Sequence, residues 1–343
     1  MKKTVCFKVN KPYRNNFLFS KGGDLDFYYQ VKNILEKLNF KVGTQDIIDE
    51  NIADYIICLD YRKDFKKNQG KSILIAFESI AVLPQTFEIN YLNKFDYVFT
   101  WNNNLIDDIR VFPLNFSFIL KNENFIDFKD KKKLICNISA NKFSNHKNEL
   151  YSERIKAIEF FNNNYPDQFD LFGYGWESAF KYPNVYNLFR IMNNNKYLRG
   201  IKRLILFSKL IDNLIYTKYD VFRGSVDSKL ETLKHYKFSI CYENIKNIEG
   251  YITEKIFDCF KAGVIPIYIG PKNIKKIIPS NTYIERNNFD SYEDLLNFLK
   301  NINYEQYEEY MFNIKKYLYS EEIKKYESTH TANYFVKKLL SLI

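Results

Sequence analysis

Residues 238–271 read FSICYENIKNIEGYITEKIFDCFKAGVIPIYIGP. Phe238, Ile240 and Tyr242 alternate with Ser239 and Cys241, the period of a strand, and the run ends in polar Glu243 and Asn244 ahead of a loop to Gly250. Thr253 suits the N-cap of a helix that sets Ile256, Phe257 and Phe260 on one face and stops at Gly263, so the segment predicts strand, loop, helix, strand. In open parallel sheets ligands bind beyond the carboxyl ends of the strands, where a helix N-terminus offers free N–H groups and a positive dipole end to a phosphate. Lys255 adds a cation in the first turn, where the dipole alone favours an acid, and Glu254 offers acceptors to ribose hydroxyls. An ordinary capped first turn accounts for the same two residues. Pro266 predicts that the last strand is kinked or begins after it, because a central strand needs its N–H.

Outward from this segment, β-branched and aromatic runs at 4–9, 53–59, 72–77, 97–101 and 134–139 follow one another, with a helical pattern at 24–38. A second series has a helix at 149–163, a strand at 169–172, a helix at 229–235, a strand at 237–242, a helix at 254–262, a strand at 264–269 and helices through most of 291–342. The expectation is α/β: two parallel-sheet domains, 1–130 and 131–343, joined through the charged stretch FIDFKDKKK at 125–133. The sequence shows no internal repeat.

The chain has 343 residues, 46 % hydrophobic and 27 % charged, with 11 Gly and 8 Pro, which excludes collagen-like, low-complexity and disordered classes. Lys and Arg number 51 against 41 Asp and Glu, and the resulting charge of +10 favours phosphate-bearing partners. An aromatic content of 18 % would also suit a single-stranded nucleic-acid binder, but the rings fall at core positions and no RNA-binding signature occurs, so no nucleic-acid partner is expected. The five cysteines are odd in number and scattered through apolar runs, which predicts buried free thiols. Lys8 and Asn10 precede any apolar stretch long enough for a signal peptide, and no run of about 18 uncharged apolar residues occurs, so a cytoplasmic protein is expected.

No metal or other cofactor is expected. Asp24 and Asp26 resemble a DxD metal motif, but they precede an amphipathic helix where Asp is a cap and dipole partner, and His146, His235 and His330 are isolated. Residues 196–216, KYLRGIKRLILFSKLIDNLIY, predict a basic amphipathic helix with two uses: packing on the protein's own core, or peripheral contact with an anionic membrane surface.

The runs Tyr242-Glu243-Asn244, Gly250 through Lys255 and Ala262 through Pro271 resemble the donor-binding signature of the alpha-1,3/4-fucosyltransferases, glycosyltransferase family 10. The resemblance continues through Ile278-Pro279 and Tyr283-Ile284, and upstream Phe77-Glu78-Ser79 followed by Phe95-Asp96-Tyr97 is similar to the family's other marker. It is dense over 238–284 and fragmentary elsewhere. Ile80 stands where the family commonly has Pro, and Ile245 where it has Ser or Thr.

The resemblance implies a GT-B fold, in which two Rossmann-like domains face each other across a cleft, and metal-independent inverting transfer from a GDP-sugar, usually GDP-fucose. Carried over residue by residue, it makes Glu78 the general base and Asn244, Tyr251, Glu254 and Lys255 donor contacts, with Arg154 the second phosphate cation. The implied acceptor is a hydroxyl of a glycan, as in surface polysaccharide or lipopolysaccharide, and a lipid-linked acceptor would place the protein at the inner face of the membrane. A GT-B transferase using another nucleotide-sugar is the alternative, and a non-enzymatic basic nucleic-acid binder a remote one.

Overall fold

The apolar runs form two parallel sheets in a computed structural model that describes residues 2–120, 125–177, 179–180 and 216–342. The first unit holds β1 (Thr4–Lys8), α1 (Asp26–Lys37), β2 (Lys41–Thr44), β3 (Tyr55–Leu59), β4 (Lys71–Ala76), the single turn α2 (Ile89–Leu92), β5 (Tyr97–Thr100) and β6 (Val111–Pro113). The second holds β7 (Lys133–Ile138), α3 (Tyr151–Asn164), β8 (Phe169–Phe172), the short antiparallel pair β9 (Ala179–Phe180) and β10 (Tyr216–Thr217), and α4 (Lys229–Leu233). It continues with β11 (Tyr236–Tyr242), α5 (Glu254–Ala262), β12 (Ile265–Ile269), β13 (Ile284–Glu285), α6 (Tyr292–Asn301), α7 (Tyr304–Leu318) and α8 (Ser328–Leu342). Every residue of β3 and of β12 is buried, as strands covered on both faces require.

The strand orders are β2-β1-β3-β4-β5-β6 and β13-β12-β11-β7-β8. Counted from its own first strand, each sheet winds 2-1-3-4-5, with a sixth strand added to the first, so the same core topology occurs twice although no sequence repeat marks it. In this winding the crevice for a ligand opens where the order reverses, between β1 and β3 in the first sheet and between β7 and β11 in the second. Pro266 sits inside β12 rather than before it: pairing with β13 starts only at Ile267, so the missing N–H interrupts no bond on that side.

One expectation fails at the C-terminus. α6 and α7 pack on the second sheet, but α8, expected in the 131–343 domain, crosses back to the first, where Ala332, Phe335, Val336 and Leu339 join a core with Phe27, Val31 and Leu35 of α1. Phe335 contacts Phe99 at 4.7 Å and Phe27 at 5.8 Å between ring centroids. The spacing of those apolar residues specifies a helix with one buried stripe but not which sheet buries it. Two crossings therefore join the units, and they touch: Phe118 donates its backbone N–H to Tyr326 at 2.8 Å and accepts from Ser328 at 3.0 Å. All five cysteines are free and buried.

Candidate active site

β11 delivers Glu243 to the reversal point of the second sheet with no exposed surface. A carboxylate there needs partners, and it has four: the Thr253 backbone N–H at 2.9 Å, the Thr253 hydroxyl at 2.7 Å, the Tyr268 hydroxyl at 3.1 Å and Lys255 Nζ at 3.3 Å. Thr253 occupies the N-cap of α5 as its sequence predicts, yet its hydroxyl serves Glu243 instead of the helix. The first-turn N–H groups of α5 are thereby left without a side-chain cap, and the positive end of the helix faces the crevice. Gly263 ends the helix at φ 65°, a left-handed conformation that suits glycine.

Lys255 is held between Glu243 and Glu254, whose Oε1 is 3.7 Å away. Burial opposes its charge, but the two carboxylates keep its pKa above the ordinary lysine range. Burial likewise works against ionised Glu254, and Lys255 and Lys229 outweigh it, bringing the carboxyl down to about 2. Lys229 pairs with Asp258 at 2.8 Å.

α3 contributes the other cation. The loop ahead of it is tied to the residues after β11 by Leu150 N–H to Asn244 carbonyl (3.0 Å) and Lys246 N–H to Asn148 carbonyl (2.8 Å), which fixes the start of the helix. One turn on, Arg154 is 4 % exposed and donates through Nη2 to the carbonyls of Tyr242 at 2.9 Å and Glu243 at 3.3 Å. No carboxylate pairs with it among the described residues. Burial lowers its pKa. A buried guanidinium with only carbonyl partners is unfinished until an anion meets it.

Arg154, Lys255, Lys229, Lys142, Asn244 and Glu254 line one cavity of about 360 Å³, with Tyr151, Ser139 and Gly173. Four cations against one carboxylate make it a site for an anion. Glu254 also borders a second cavity, about 400 Å³, between the units. Asp60 and Glu78, which follow β3 and β4, line it as well. Asp60 Oδ1 accepts the backbone N–H groups of Phe77 and Glu78, each at 2.8 Å, and Glu78 Oε1 accepts the N–H of Ser79 at 2.8 Å. The Phe77 carbonyl is held by Trp101 Nε1 at 3.0 Å. The loop bearing Glu78 is thus fixed by Asp60 after β3 and by Trp101 after β5.

Of the residues singled out in the sequence, Arg154, Asn244, Glu254 and Lys255 share the cationic cavity and Glu78 faces the cleft that Glu254 borders. Tyr251 does not line that cavity. It is 2 % exposed in the apolar seam between the units, among Trp101, Ile245, Phe77 and Phe116, and reaches the site only through its hydroxyl, which accepts from Asn244 Nδ2 at 3.2 Å. Gly250 explains the packing: a Cβ there would lie 2.1 Å from the Trp101 carbonyl oxygen, so only glycine lets the loop come so close to the first unit. Asp26 is the first residue of α1 and accepts the Gly22 N–H at 3.2 Å. Glu243, Lys229 and Asp60 escaped sequence reasoning; the one signal was an acid directly after a buried strand. The segment 196–215 lies outside the described residues. Among those described, no helix is long and apolar enough to cross a membrane.

Residues 190–338 match the family model described as glycosyltransferase family 10 (fucosyltransferase) C-term. Over 58 residues the chain is 48 % identical to a putative fucosyltransferase-like protein of Arabidopsis thaliana, covering 17 % of this chain and 11 % of that relative. Over 76 residues it is 33 % identical to the alpha-(1,3)-fucosyltransferase FucT of Helicobacter pylori, covering 22 % and 16 % respectively. The matched stretches thus span well under a fifth of either relative. A crystal structure of alpha1,3-fucosyltransferase with GDP has the same fold, with a TM-score of 0.56 and 14 % identity over 99 % of this chain and 90 % of that one. The architecture is GT-B.

Proposed function

We propose that this chain, a member of glycosyltransferase family 10 through its residues 190–338, is an inverting fucosyltransferase that moves fucose from GDP-fucose to a hydroxyl of a glycan. The observation that carries the proposal is the buried Arg154, paired with carbonyls alone, beside Lys255 and the uncapped end of α5, with Glu78 lining the adjoining cleft that Glu254 borders. In the proposed step Glu78 takes the proton of the acceptor hydroxyl as its oxygen forms a bond to the anomeric carbon, and the bond from that carbon to the diphosphate oxygen breaks on the opposite face. The charge that grows on the departing diphosphate meets Arg154, Lys255 and the α5 N–H groups, which stabilises the transition state more than the bound ground state. Ionised Glu254 accepts hydrogen bonds from the ribose. Positioned proton transfer of this kind contributes roughly 10² to 10⁴ in rate. All of these roles belong to side chains and backbone N–H groups of this chain, so metal is not invoked.

Thermal shift with GDP, GDP-fucose, UDP and CDP, with and without chelator, tests the proposal. A ligand at about 100 times its Kd adds about 2.7 kcal/mol to native stability. GDP and GDP-fucose should raise Tm regardless of chelator, and UDP and CDP should not. Equal shifts with all nucleotides would point to a different nucleotide-sugar, and absent shifts would exclude the donor site.

A further inference from the structure

One buried hydroxyl at the site has no partner. Tyr151, the first residue of α3, is 3 % exposed, and its Oη makes no hydrogen bond among the described residues. Leaving such a group unsatisfied costs about 1–3 kcal/mol, so its retention calls for an explanation. Burial pushes the phenol up to about 12, with Arg154 opposing and Glu78 adding to the shift, so the hydroxyl keeps its proton and can donate.

Its position supplies the explanation. Tyr151 lies three residues before Arg154, whose guanidinium stands 5.4 Å from the ring centroid. Tyr151 lines the cationic cavity and also a neighbouring cavity of about 560 Å³, walled by residues 80–82, 84 and 85 of the first unit and 142–146 of the second. It therefore borders both the space where a diphosphate would meet Arg154 and a space beside the residues that follow Glu78. Arg154 and Glu78 both act electrostatically on the Tyr151 hydroxyl, which places it within reach of a group attached to that diphosphate and directed at Glu78.

We propose that the Tyr151 hydroxyl donates a hydrogen bond to the sugar carried by the nucleotide donor, making Tyr151 a residue that selects and orients the transferred group. This rests on the donor-site proposal above and adds to it a contact to the sugar rather than to the nucleotide. The bond removes the orphan donor only when the sugar is present, so GDP-fucose gains from it and GDP does not.

Tyr151→Phe keeps the ring and removes only the oxygen. The free variant should melt at or above the wild-type temperature, because an unsatisfied group has gone. By calorimetry its affinity for GDP should stay within twofold of wild type, while its affinity for GDP-fucose should fall at least tenfold, with a matching loss in kcat/KM. A lower melting temperature of the free variant would show that the hydroxyl already has an internal partner and overturn the proposal. Unchanged GDP-fucose affinity would overturn it too, as would equal losses for GDP and GDP-fucose, which would move the contact to the diphosphate. In each of these cases wild-type binding of GDP-fucose leaves the donor site standing, whereas a wild-type protein that binds neither ligand removes both proposals together.

Discussion

Trp101 at the end of β5 and Tyr251 in the loop before α5 meet edge to face, with ring centroids 4.7 Å apart. Because Trp101 Nε1 also holds the Phe77 carbonyl and the Tyr251 hydroxyl accepts from Asn244, this one contact ties the loop of the candidate base to the wall of the candidate donor cavity. Truncating an aromatic in such a seam costs roughly 3–5 kcal/mol. Tyr251→Ala is therefore expected to lower Tm and to reduce kcat more than GDP affinity. A selective loss of GDP affinity without loss of stability would restore Tyr251 as a direct donor contact.

Glu78→Gln retains the shape of the side chain and its bond from Ser79 N–H but cannot take a proton. Transfer should fall roughly 10² to 10⁴-fold while GDP affinity changes by no more than a few fold. Steady-state rates alongside calorimetry decide it; near wild-type turnover would take Glu78 out of the reaction.

Arg154 and Lys255 should respond differently to removal. Arg154→Met strips a buried charge that has only carbonyl partners, so the free protein should lose little stability while GDP binding weakens by roughly 10 to 150-fold, the worth of about 1.5–3 kcal/mol for a charge-assisted bond. Lys255→Met leaves the fully buried Glu243 without its cation, a defect that costs about 3–5 kcal/mol in the free protein. Melting curves with and without GDP separate the two, and similar destabilisation by both changes would contradict the proposed division.

Asp60 sets a pH dependence. Burial pushes its carboxyl up to about 6, with the nearby Glu78 adding and the N–H groups of Glu78 and Phe77 opposing. An unfolded Asp titrates near about 3.9, so between the two values the native state holds a proton that the unfolded chain has released; the resulting stability is complete below about pH 4 and is lost as pH rises through about 6. Asp60 has φ 52°, which Asn also tolerates, and an amide oxygen can still accept both N–H groups. Asp60→Asn should thus out-melt wild type near neutrality and lose that advantage by about pH 4. A difference that stays constant across the range would show that Asp60 does not titrate there.

The candidate site was legible wherever its residues form local patterns. Glu254 and Lys255 follow a cap residue at the start of an amphipathic helix, and Asn244 follows a strand, so their place at the carboxyl edge of the sheet could be inferred. Orientation could not: the pattern around Tyr251 does not tell whether its ring faces the donor cavity or the seam. Three of the four sheet-edge strands were missed because β2 opens on Lys41 and carries Gly43, β6 has three residues ending in Pro113, and β13 has two, too few for a period to show. The repeated winding is invisible in sequence because unrelated side chains build it. Asp60 and Glu243 act through bonds to distant backbone and side chains, which no spacing encodes.

The return of α8 to the first sheet also sets an order of folding. Tyr97 Oη donates to the Leu342 carbonyl at 2.9 Å across 245 positions, and Phe99 waits for Phe335. The first unit is the first to be synthesised, yet one wall of its core is missing until residues 328–342 emerge, while the sheet and helices from β7 to α7 are contiguous and can close first. During synthesis the chain therefore carries an uncovered apolar face at its leading end. A fragment cut at the 125–133 connection would keep that face exposed, and only one that also supplies residues 328–342 would fold as the first unit does here.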